Sequence, residues 1–194
     1  MDRLSIVIAL LLAFGVLQCK TETSPPPPPR VVAVKAKQTT EDPLPAFCDY
    51  LDRTGTKKKL QMPEVTGRVA GAAEGFRWIN VWATWCEPCI EEMPMLVQWT
   101  DKLNKAGRNV TIEFVSVDEE PEVLKRFYEA RPTFPTSGRL ADPEALAPWI
   151  TELGLDAGAG LPIHIVADPN GMIRCVRTGA VNPRNFAAVE ALLQ

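Results

Sequence analysis

Histidine is almost missing from this chain: of its 194 residues only His164 carries an imidazole. Cysteine is sparse too, with five in all, and Cys86 and Cys89 form the only CxxC. Structural zinc sites draw four ligands from Cys and His at recognisable spacings, so the lack of a second ligand pair argues against one. Long basic runs are also lacking, and the formal net charge is -3. Nucleic-acid binders usually present a basic face, which this composition does not supply. The three lysines at 57–59 follow Gly55 and read as a solvated hairpin tip. No internal repeat is evident.

The one long apolar run, "LSIVIALLLAFGVL" at 4–17, has 14 residues. Spanning a bilayer takes about 20, whereas a run of this length suits the core of a secretory signal. Residues 1–19 are therefore expected to be an export segment, and an exported chain enters a compartment where a CxxC pair can oxidise. Cys19 stands where bacterial lipoproteins carry their acylated cysteine, although Val16 and the bulky Gln18 depart from the usual lipobox. Lipidation, cleavage without lipid and an uncut anchor all stay open. Residues 20–45 contain Pro25–Pro29 and little apolar surface, so they are predicted to be an extended, disordered tether.

The folded domain is predicted over 46–194. "FCDYLDRTGTKKKLQ" suggests two short strands around Gly55, and "FRWINVWAT" a buried strand. Ile90, Met93, Leu96, Val97 and Leu103 recur at helical spacing from Glu87 to about Lys105, with Gly107 ending the run. "VTIEFVSVD" reads as a strand, and "EPEVLKRFYEA" as a helix opened by Pro121 and acidic residues. "DPEALAPWITELG" predicts a helix that Pro148 must kink or divide. "PIHIVAD" and "MIRCVRTG" predict a strand pair across the turn "PNG". "NPRNFAAVEALLQ" predicts a closing helix capped by Asn182. The alternation implies an α/β fold: a mixed sheet covered by helices.

In "WATWCEPC", residues 82–89, Cys86 falls where a strand ends and a helix begins. A thiol there meets the positive end of the helix dipole and unpaired backbone N–H groups, which favour the attacking thiolate. Cys89, one turn inward, can resolve the mixed disulfide that results. Glu92 stands three residues beyond Cys89 and shares its side of the helix. Glu87, between the sulfurs, disfavours the thiolate and so points to a reducing or middling potential.

These residues resemble the active-site signature of thioredoxin-fold proteins, over roughly residues 45–194. The set "N-x-W-A-T-W-C-E-P-C-x-x-E-x-P", with "G-x-P" ahead of the penultimate strand and an N-terminal hairpin, resembles exported, membrane-tethered thiol–disulfide reductases of the TlpA/ResA type. The resemblance implies a thioredoxin-like fold with an N-terminal β-hairpin extension. It makes Cys86 the exposed nucleophile, Cys89 the buried resolving cysteine and Glu92 the proton-handling carboxylate, with Asn80 where cytoplasmic thioredoxins place a buried aspartate. Pro162 falls at the family's cis-proline, and the backbone of Leu161 would pair with an extended substrate. Trp85 is expected to cover the disulfide and shape docking, Trp82 to pack beneath it, and His164 to be a core residue. The family's topology sets the first hairpin and the last strand towards opposite edges, which argues against a Cys48–Cys175 disulfide.

The resemblance further implies disulfide-bearing exported substrates, such as apocytochrome c or copper-site proteins. It also implies a membrane thiol donor of the CcdA/DsbD type, an extracytoplasmic location at a membrane, and no cofactor. The rivals are an oxidase or isomerase on the same fold, a copper- or zinc-binding module, and a non-catalytic adaptor. The connection from Arg131 to Gly160 is longer than the family's usual one and is a candidate substrate groove or lid.

Overall fold

Residues 78–82 and 163–167 are buried on both faces of the sheet, which requires cover on both sides. The computed structural model describes residues 42–67 and 74–194. The export segment, Cys19 and the proline run lie outside the described residues. Within the compact unit Thr40–Gln194, the chain opens with α1 (Leu44–Phe47), β1 (Tyr50–Leu51) and β2 (Val65–Thr66). β3 (Phe76–Trp82), α2 (Glu87–Lys105), β4 (Val110–Ser116) and α3 (Pro121–Ala130) follow. Next come β5 (Gly138–Leu140), a 3-10 turn (Pro143–Ala145) and α4 (Leu146–Glu152). β6 (Ile163–Ala167), β7 (Ile173–Thr178), a second 3-10 turn (Pro183–Asn185) and α5 (Phe186–Leu192) complete the order.

The seven strands form one sheet in the order β1-β7-β6-β3-β4-β5-β2. β3, β4 and β5 run parallel, while β6, β7 and both edge strands are antiparallel to their neighbours. Trp78 through Trp82 are all buried, as is every residue of β6. α2 and α5 share a face, since Trp99 of α2 packs on both Trp78 and Phe186. Asn182 caps the last turn as expected, accepting from the Arg184 N–H at 3.0 Å. Pro148 causes no break inside α4, because it sits in the first turn, where a helix N–H has no partner to lose. Among the described residues no helix is long and apolar enough to cross a membrane.

The structure corrects three expectations. The predicted N-terminal hairpin does not form: β1 pairs with β7 and β2 with β5, at opposite edges of the sheet. The turn around Gly55 is too wide for a hairpin, because the Asp52 carboxylate gathers the Thr54 hydroxyl and the N–H groups of Thr54, Thr56 and Lys57. Gly55 itself takes φ +61°, and Lys59 beyond it bridges to Met172 instead of to β1, so the lysines are not a free hairpin tip. Second, Cys48 and Cys175 are disulfide-bonded, with Cα atoms 5.6 Å apart. It is β2 that crosses to the far edge; β1 stays beside β7, with Leu51 level with Cys175. Third, the connection from Arg131 to Gly160 contributes a sheet strand, β5, which is short and carries little apolar patterning.

Candidate active site

The redox candidates occupy the C-terminal end of β3. Cys86 is the N-cap of α2, and its N–H returns to the Ala83 carbonyl at 3.0 Å, closing the turn out of the strand. Its carbonyl accepts from Ile90 N–H at 3.1 Å, the first bond of the helix. Cys86 and Cys89 form a disulfide with Cα atoms 5.3 Å apart. Cys89 is fully buried, and Cys86 retains 5% exposure. Cys86 is thus the more accessible residue of the pair but is still buried.

A residue that sequence reading missed holds this turn in place. Asp118, at the end of β4, accepts from the Thr84 hydroxyl at 2.7 Å and from Thr84 N–H at 3.0 Å. Ser116 Oγ also donates to Asp118, at 2.7 Å. The available signal was register: Trp82 lies level with Ser116, so the residue two past Ser116 reaches the loop after Trp82. Trp82 is buried as expected, edge-on to Phe127, with its indole N–H donating to Ser137 Oγ at 2.9 Å.

Trp85, next to Cys86 in the chain, keeps 72% of its surface exposed. It lines a groove of about 350 Å³ with Val117, Asp118, Glu119, Glu120, Val123, Pro143 and Leu146. Pro143 and Leu146 come from the long connection, which therefore supplies one wall.

The Leu161–Pro162 peptide bond is cis. Continuing the register from Val81↔Ile163 puts Pro162 level with Trp82, at the same end of β3 as the cysteines. Pro162 is buried and Leu161 half-buried.

Behind Cys89 lies a polar cluster. Glu92 is 3% exposed, and its Oε1 accepts from Asn80 Nδ2 at 2.9 Å while Oε2 accepts from Val181 N–H at 2.7 Å. His164 Nε2 approaches Oε1 at 3.2 Å. Trp78 Nε1 donates to His164 Nδ1 at 3.3 Å. Asn80 and His164 are register partners on β3 and β6, so both point toward α2. A cleft of about 220 Å³ reaches this cluster from solvent between Pro88, Glu91, Glu92 and Met95 of α2 and the segment Ala180–Pro183. Among the described residues, no group of three or more His, Cys, Asp or Glu is arranged to hold a metal ion.

No family model matches the chain. DsbE of Escherichia coli K12, a thiol:disulfide interchange protein, is 32% identical over 109 residues, 55% of this chain and 51% of that protein. The thiol-disulfide oxidoreductase ResA of Bacillus cereus is 25% identical over 116 residues, 60% of this chain and 58% of that one. The chain is thus similar to thioredoxin-like thiol–disulfide oxidoreductases such as DsbE and ResA. Human nucleoredoxin is 34% identical over 107 residues, but these are only 22% of its length. The chain thus spans about half the length of its bacterial relatives and less of nucleoredoxin. Among solved structures, the thioredoxin domain of a thiol-disulfide oxidoreductase from Bacteroides vulgatus gives a TM-score of 0.49 at 20% identity, covering 61% of this chain and 79% of that one.

Proposed function

We propose that the protein is an extracytoplasmic thiol–disulfide oxidoreductase that reduces disulfides in other exported proteins. The observation that carries the reading is the Cys86–Cys89 disulfide at the N-terminus of α2. In the reductive direction the Cys86 thiolate attacks a substrate disulfide, and one substrate sulfur leaves as a thiolate. Cys89 then gives its thiol proton to Glu92 and attacks Sγ of Cys86. The Cys86–substrate bond breaks, the Cys86–Cys89 bond forms, and the substrate has gained two electrons. The Glu92 proton passes to solvent through the cleft beside Val181.

Trp85 and the backbone beside Leu161 and Pro162 are the proposed docking elements, with the extended substrate segment adding along Leu161. Apocytochrome c and copper-site proteins are the proposed substrates, and a membrane protein of the CcdA/DsbD type is the proposed electron donor. The N-terminal export segment, with Cys19 as acylation site, would tether the domain at the membrane. The relatives named ResA and DsbE support the thiol–disulfide chemistry. The apolar run at 4–17 supports export.

The test is disulfide exchange with an exported protein substrate, followed by thiol trapping. The wild type is expected to form a reduced substrate and an oxidised Cys86–Cys89 pair. C86S should abolish turnover, and C89S should accumulate the mixed disulfide. Exchange that persists in C86S would overturn the reading.

A further inference from the structure

His164 is the chain's one imidazole, it is 2% exposed, and the exchange steps above leave it unused. Both of its ring nitrogens face groups that decide its state. Nδ1 receives the Trp78 indole N–H at 3.3 Å and lies 3.4 Å from the Asn80 amide nitrogen. An indole N–H can only donate, so Nδ1 must present a lone pair and the proton of the neutral ring sits on Nε2. That N–H has no aligned hydrogen-bond partner, and its carboxylate neighbour is Glu92 Oε1 at 3.2 Å. A buried donor left this way is held beside the group that the exchange chemistry charges and discharges.

We propose that His164 is a positioning residue for the disulfide chemistry: as the Nε2–H tautomer fixed by Trp78, it sets its polar edge 3.2 Å from Glu92 Oε1, beside the Asn80 and Val181 donors that hold the carboxylate proposed to take the proton of Cys89. This rests on the reading of Cys86–Cys89 as the redox pair. Glu91 of α2 lines the same cleft as Glu92, Cys89 stands one turn before it on α2, and Arg177 on β7 is paired with His164. β3 offers only the uncharged Trp78 and Asn80 there. Arg177 is the register partner of His164, but its guanidinium turns to the Phe47 ring and donates to the Phe47 carbonyl at 2.8 Å.

Because there is one histidine, long-range proton–nitrogen NMR of the full chain reads its tautomer without assignment ambiguity. The expected result at neutral pH is the Nε2–H form; the Nδ1–H form would overturn the proposal. The second readout is the pH–rate profile of the resolving step. H164L removes the N–H that stands 3.2 Å from Glu92 Oε1, so its profile should shift away from that of the wild type. H164Q, which keeps a side-chain N–H, should restore it. In an E92Q background H164L should change nothing. A folded H164L whose profile matches the wild type, or an H164L effect that persists undiminished in E92Q, would overturn the role of His164 while leaving the exchange activity standing. A wild type with no exchange at all would overturn the proposed function, and this role with it.

Discussion

Glu92 accepts hydrogen bonds from Asn80 and Val181 on its two oxygens and has an imidazole N–H beside it, all in a buried setting. The Asn80 amide and the Val181 N–H each take one oxygen, so the orientation of the carboxylate is fixed. Replacing it by glutamine keeps the volume and removes the base. E92Q is expected to slow the resolving step by about a hundredfold or more, in the usual range for general acid–base assistance, with the disulfide still forming. Stopped-flow exchange at neutral pH measures it, and a rate within twofold of the wild type would remove Glu92 from the chemistry. The placement of Glu92 on the side of α2 that carries Cys89 was legible from its spacing, and the burial of Asn80 from its strand position. His164 was not, because a histidine on a buried strand looks the same whether it fills space or faces a carboxylate. The parity of Asn80 and His164 across β3 and β6 becomes visible only once the two strands are paired.

The Asp52 turn is a second place where a short segment is organised by one carboxylate. The Thr54 hydroxyl, opposed by burial and reinforced by the N–H groups of Lys57, Thr54 and Thr56, holds Asp52 well below the usual carboxylate range. A carboxyl group depressed in the folded state stabilises the fold above its unfolded value, about 3.9, and that contribution is lost as pH falls further. Urea unfolding between pH 5 and pH 2 should therefore show a decline in stability that is shallower in D52A than in the wild type. Parallel declines would contradict the assignment. Most elements could be read beforehand: β3, α2, β4, α3, β6 and β7 lie where apolar periodicity and capping put them. The edge strands could not. β1 and β2 have two residues each and β5 three, too short for alternation to register, and their partners are set by the chain's path over the sheet.

That path also joins the two ends of the folded unit. The Cys48–Cys175 bond closes a separation of 127 residues and fastens the segment leading into β1 onto β7. The pairing was illegible because two cysteines far apart in sequence carry no sign of which sheet edge each will reach. Constraining so long a loop stabilises a fold by about 2–4 kcal/mol. The double variant C48S/C175S is expected to lose about that much in chemical denaturation, with the Cys86–Cys89 couple keeping its potential. A shift in that potential would show that the two disulfides are coupled. Arg177 ties the same corner from the other side, stacking on Phe47 and donating to its carbonyl. The domain is thereby closed where the N-terminal segment enters it, and the redox pair sits at the end of a central strand.

The most direct test of the central claim is the equilibrium reduction potential of the Cys86–Cys89 pair, measured against glutathione and dithiothreitol couples. Glu87, between the two cysteines in the chain, disfavours the thiolate form of the reduced pair. The account predicts a value near or below that of thioredoxin, about -270 mV. A value near that of DsbA, about -120 mV, would contradict it and make the protein an oxidant of its substrates.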